Sequence, residues 1–168
     1  ASALQSDGKL VVGGSFTSFN GTTRNRIARL NTNGTLDATF DPGTGFNGAV
    51  NALVIQPGNG KIIVGGDFTT FNGNTQNVIL RLNTNGSYDN TFVTTGTGLN
   101  NLIYALAIQT DGKIVVGGMF ASYNGTSRNC IARLDSNGTL DAGFNPGTGF
   151  PGYVRSIVIQ ATGKIVAG

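Results

Sequence analysis

The sequence contains no histidine, no tryptophan and no glutamate. Without histidine, Ser-His-Asp and Cys-His nucleophilic sites cannot be built in their ordinary form. Imidazole-ligated zinc, copper or iron is excluded with them. The eight carboxylate side chains are all aspartate. Three of them (Asp37, Asp89 and Asp141) recur at one position of a repeat, so a paired-carboxylate hydrolase would need two aspartates from different repeats to meet. The single cysteine, Cys130, cannot form an internal disulfide and leaves the redox compartment open. Charged residues make up only 11% of the chain, against roughly 25% in ordinary soluble domains. The net charge of +3 and the pI near 9.3 reflect this scarcity. Lys9, Lys61, Lys113 and Lys164 fall once per repeat, and no basic run exists that would hold nucleic acid. No apolar stretch approaches the roughly 20 residues of a membrane span, and no signal peptide is visible. The expectation is a non-enzymatic chain with no metal, no cofactor, no nucleic-acid partner and no membrane insertion.

What is abundant is glycine, 27 residues of it, together with asparagine and threonine. This weakly charged composition suits a secreted or cell-surface protein. The glycines are ordered by a repeat of about 52 residues. Gly-Lys-[Leu/Ile]-[Val/Ile]-Val-Gly-Gly-x-Phe begins at Gly8, Gly60 and Gly112, and a further copy opens at Gly163. [Phe/Tyr]-Asn-Gly follows at Phe19, Phe71 and Tyr123, and then Arg-Leu at Arg29, Arg81 and Arg133. Asn-Gly-[Thr/Ser]-[Leu/Tyr]-Asp comes next, then a phenylalanine, Gly-Thr-Gly, and an apolar run ending at Gln56, Gln109 and Gln160. A one-residue insertion falls between Phe92 and Gly96, and another in the turn Pro57–Gly60.

Each repeat is expected to form four short strands separated by Gly/Asn/Asp turns. In the second repeat these are Val50–Gln56, Lys61–Phe68, Val78–Asn83 and Ser87–Phe92. The first two are apolar on successive residues and should be buried on both faces. Turn chemistry sets the register. A three-residue loop with Gly34 in the left-handed conformation pairs Leu30 with Leu36 and Arg29 with Asp37. The same logic sets Leu4 against Leu10 and Gln5 against Lys9. Arg29–Asp37, Arg81–Asp89 and Arg133–Asp141 are therefore expected as structural pairs. The arginine occupies the place of a first calcium carboxylate, which argues against cation binding on this hairpin. The recurring phenylalanines Phe16, Phe40, Phe68, Phe92, Phe120 and Phe144 are assigned to the core between blades.

Four strands in about 52 residues, the second closed by Gly-Gly, predict an all-β fold: a β-propeller of four-stranded antiparallel blades. Kelch repeats are similar in length and also carry Gly-Gly, but their tryptophan is missing here. The run Ile108–Phe120 and the run Ile131–Asp141 resemble the bacterial delta-sixty repeat family of β-propellers over essentially the whole chain. The resemblance implies a repeat domain of a large bacterial protein, often secreted or at the surface, with no assigned catalytic residues. The repeat divides the chain into blades at 1–49, 50–102 and 103–153, with two opening strands at 154–168. Both ends fall inside the repeat. An incomplete arc is therefore expected, closed by further repeats of the same chain or by a second copy.

Any ligand site is expected at the end bearing the longer loops (Thr17–Arg26 and Asp41–Ala49 in the first repeat), where binding residues concentrate. Positions that break the repeat point there. Asn51, Tyr104 and Arg155 are equivalent, as are Ala49, Leu102 and Tyr153, and Arg24 and Arg128 correspond to Gln76. Asn51, Tyr104, Tyr153, Arg155, Arg24 and Arg128 are thus the candidate ligand residues, for a protein or a glycan. The eight Asn-Gly pairs are turn formers; five of them also form N-x-[Ser/Thr] sequons, at Asn20, Asn33, Asn85, Asn124 and Asn137.

Overall fold

A computed structural model describes residues 1–92 and 96–168. The insertion between Phe92 and Gly96 lies outside the described residues. Every regular element among them is a strand, and no helix is long and apolar enough to cross a membrane. The first blade holds β1 (Ser2–Leu4), β2 (Leu10–Gly13), β3 (Ser18–Phe19), β4 (Thr22–Thr23) and β5 (Ile27–Leu30). The second holds β6 (Val50–Ile55), β7 (Ile62–Gly66), β8 (Thr70–Phe71), β9 (Asn74–Thr75) and β10 (Ile79–Leu82). The third holds β11 (Ile103–Ile108), β12 (Ile114–Gly118), β13 (Ser122–Tyr123), β14 (Thr126–Ser127) and β15 (Ile131–Leu134). β16 (Ile157–Ile159) and β17 (Ile165–Ala167) open a fourth.

Three strands pair antiparallel in each full blade, in the orders β1-β2-β5, β6-β7-β10 and β11-β12-β15. The first strands β1, β6, β11 and β16 pack on one another in succession. They are the inner strands of the arc and define its axis. The turns give the register their chemistry dictates: Leu4 faces Leu10, the Gln5 amide donates to Lys9 O at 2.8 Å, and Asp37 N donates to Arg29 O at 2.8 Å.

The blade departs from the expected four strands at its rim. The outer strand is reduced to one bridged pair, Leu30 with Leu36, Leu82 with Tyr88 and Leu134 with Leu140. The aspartate that follows ends it. Asp37 Oδ1 accepts from the amide of Thr39 at 2.9 Å and from its hydroxyl at 2.7 Å, and Asp89 binds Thr91 in the same way. This local turn competes with any further ladder. The connection from second to third strand, in turn, is not a plain loop. It folds into the hairpins β3–β4, β8–β9 and β13–β14. Asn20 and Gly21 both have positive φ, 46° and 77°, as a tight two-residue hairpin turn requires.

The core lies between blades. Phe46, in the connection leaving the first blade, packs on Phe68 and Phe71 of the second with ring centroids 4.4 and 4.7 Å away. A fully buried phenylalanine contributes about 2 kcal/mol. The first glycine of each Gly-Gly doublet lets the next inner strand approach. A Cβ on Gly65 would lie 2.7 Å from Ile103 Cγ2. Phe40, Phe68, Phe92 and Phe120 are buried, whereas Phe16 and Phe144 are only half-buried, on the outer flanks of the first and last full blades. Leu4, Phe150, Val158 and Val166 are exposed on the same end regions.

Candidate functional site

The paired charges tie together several of the repeated positions. Arg81 Nε donates to Asp89 Oδ2 at 2.6 Å, and its Nη1 to Gln56 Oε1 at 3.1 Å. Nη1 also reaches Ser136 O of the following blade at 2.9 Å, and Nη2 reaches Thr91 Oγ1 at 3.0 Å. The guanidinium lies over the Phe92 ring at 5.1 Å. Arg29 repeats the arrangement with Asp37, Gln5, Thr39, Phe40 and Thr84 O. Arg133 does so with Asp141, Gln109 and Phe144. A lysine completes each cluster, with Lys61 Nζ 2.7 Å from Asp89. Burial by itself would raise the Asp37 and Asp89 carboxyls. Hydrogen bonds from lysine, threonine and arginine outweigh it and hold both well below the ordinary carboxylate range. Lys113 and Arg133 lower Asp141 to about 2 against a smaller opposing effect of burial. Arg29 and Arg81 thereby clamp one blade to the next, through Thr84 O and Ser136 O, while Arg133 bonds within its own blade. Among the described residues no three His, Cys, Asp or Glu side chains stand close enough to hold a metal ion.

The long loops are also tied down. Asn47 Oδ1 accepts from the amides of Thr69 and Thr70 in the next blade, and Asn100 does the same for Ala121 and Ser122. Neither asparagine stands out in the sequence as more than a turn former. Their shared place two residues after Gly-Thr-Gly, at Gly45 and Gly98, is the signal that would have found them. In the third connection Pro151 takes this place, two residues before Tyr153.

The repeat-breaking residues at the inner strands share a backbone device. The β6–β7 register shifts between Val50 and Ala52, and the β11–β12 register between Ile103 and Ala105. Asn51 and Tyr104 are therefore the extra residues of two β-bulges. The amides of Arg155 and Ser156 both donate to Gly168 O, at 2.7 and 2.8 Å, which makes Arg155 a third. Bulges re-aim a side chain out of the ladder. Here they bring Arg155 over the Tyr104 ring at 5.0 Å, with the Tyr153 ring 6.4 Å from Tyr104. Asn51 sits one blade back, and its Nδ2 is spent on Ile103 O at 3.0 Å. Arg155 is exposed and has no ion-pair partner among the described residues.

Arg24 and Arg128 do not join this group. Each folds over its own hairpin, Nη1 donating to Thr23 O or Ser127 O, with Nε buried and unpartnered. A cleft of about 570 Å³ opens at the opposite, tight-turn end between the first two blades. Arg29 and Gln5 form part of its wall and are already engaged in the blade clamp.

Residues 5–40, 58–92 and 109–144 match the family described as "domain of unknown function (DUF5122) beta-propeller". The chain belongs to this family. The matched segments of this DUF5122 propeller start near the glutamine-lysine turn and end at Phe40, Phe92 and Phe144, so each spans one clamp from turn to stacked ring. Among curated proteins none matches the sequence significantly. Among solved structures the chain is similar to a gluconolactonase of Xanthomonas campestris, with 16% identity and a TM-score of 0.56. The match covers 99% of this chain and 53% of that one. The chain thus spans about half the length of that structure, and the likeness concerns the fold alone.

Proposed function

We propose that the chain is a non-catalytic propeller segment of the delta-sixty type, serving as scaffold and ligand-binding module of a bacterial surface or secreted protein without a cofactor. The observation that carries this reading is the convergence of Tyr104, Tyr153 and Arg155 through successive bulges at the long-loop end of the inner strands. A guanidinium stacked on an aromatic face keeps its in-plane N–H edges free for an anionic group. The ligand is then a protein or glycan presenting a carboxylate. The test is titration with acidic oligosaccharides and acidic peptides. Arg155→Ala and Tyr104→Asn, the latter installing the residue of the second blade, should each weaken the retained ligand about tenfold. Unchanged binding in both variants would refute the site.

The gluconolactonase likeness supports a second reading, an enzyme whose catalytic residues lie partly outside this chain. Hydrolysis of gluconolactone above the spontaneous rate by the chain as it stands would replace the scaffold reading. The expected result is no acceleration.

A further inference from the structure

The second blade carries a different set of repeat-breaking residues, and the fold gathers them at its outer rim. Tyr88 stands where the other blades have Leu36 and Leu140. Gln76 replaces Arg24 and Arg128, and Asn74 replaces Thr22 and Thr126. A cavity of about 300 Å³ is lined by Phe71, Asn72, Asn74, Gln76 and Tyr88. A neighbouring one of about 320 Å³ shares Gln76 and Tyr88. In the first and third blades the arginine at the Gln76 position buries its Nε without a partner.

The chemistry of the cavity is uniform. Its lining holds no charged group. Tyr88 is 38% exposed, its ring is inclined to Phe71 with centroids 6.5 Å apart, and it lines the cavity. Asn72 Oδ1 is engaged by Gly45 and Thr44, and Asn74 Nδ2 by Asn72 O. The Gln76 carboxamide, Asn74 Oδ1 and the Tyr88 hydroxyl make no hydrogen bond among the described residues. Neutral donors and acceptors beside an aromatic face, in a cavity at the small end of ligand-pocket sizes, suit a ligand with hydroxyls on its edge and C–H bonds on its face. We infer that the rim of the second blade is a binding site for a neutral sugar, separate from the axial Tyr104–Arg155 group.

The test uses substitutions the fold already accepts, since Tyr88→Leu and Gln76→Arg install the residues of the other blades. Neutral glucose-, galactose- and mannose-based tetrasaccharides are titrated against the chain and both variants, with melting temperatures recorded. At least one tetrasaccharide should bind, each variant should weaken it tenfold or more with melting unchanged, and Arg155→Ala should leave it intact. Absence of binding at millimolar concentration, or binding that survives both substitutions, would overturn the inference. Loss on Arg155→Ala alone would do so too and assign the sugar to the axial site instead.

Discussion

Arg81 shows how one side chain accounts for several columns of the repeat at once. Its fork is satisfied by Asp89, Gln56, Thr91 and the Ser136 carbonyl, and its face by Phe92. Removing one member of a buried charge cluster strands the rest, at a cost of about 3 kcal/mol. Asp89→Ala should lower stability by that amount in denaturant unfolding, while excess calcium leaves the melting temperature unchanged. The pH dependence follows from the same carboxyls. Their folded values lie below the ordinary 3.8. Their stabilisation is therefore complete above that value and is lost as pH falls through the folded ones, near 2 for Asp141 and lower for Asp37 and Asp89. Melting temperature should be flat from neutral pH to about pH 4 and drop below it; a decline already under way at pH 6 would contradict this. Gly65→Ala tests close packing, since the new methyl meets Ile103. Overpacking of this kind costs about 1–3 kcal/mol.

At the scale of elements, the rim of each blade is decided by a contest between a local turn and a strand. The segment after Asn33-Gly34 has a strand-like pattern, yet Asp37 captures Thr39 and stops the ladder after Leu36. The pattern of apolar residues was legible; the outcome depended on a side-chain to backbone bond two residues on. The loops behave alike. Long Gly/Asn-rich connections ordinarily signal freedom, but Asn47 and Asn100 pin theirs to the next blade. Asn100→Ala removes the acceptor for two amides whose bonds are open to water and should cost about 0.5–1.5 kcal/mol. Hydrogen exchange at Ala121 and Ser122 should rise more than elsewhere in the third blade. Uniform protection would show that the connection is held by its packing instead.

At the scale of the whole chain, blade-on-blade packing leaves apolar side chains of the first and last blades without a neighbouring blade among residues 1–168. Leu4 at one end and Phe150, Val158 and Val166 at the other are exposed, and Phe150 is not covered as Phe46 is by Phe68 and Phe71. Exposed apolar faces associate. The isolated 168-residue chain is expected to self-associate in sedimentation at micromolar concentration, a second copy taking the place of a neighbouring blade. A cooperatively folding monomer would show that the end faces are stable in water.

The sequence by itself determined the all-β class, the repeat, the registers at the hairpin turns and the arginine–aspartate partners, because each follows from local rules. Gly34 forces one turn, and that turn places Arg29 beside Asp37. It also marked Tyr104, Tyr153 and Arg155 as departures from the pattern. What it could not supply was which departures meet. Tertiary structure stacked Arg155 on Tyr104, turned Asn51 onto Ile103 O, left Arg24 and Arg128 on their own hairpins, and drew Gln76 to Tyr88. The physical reason is that these contacts depend on one-residue bulges and on the packing of one blade against the next. A period of two along a strand carries no record of either.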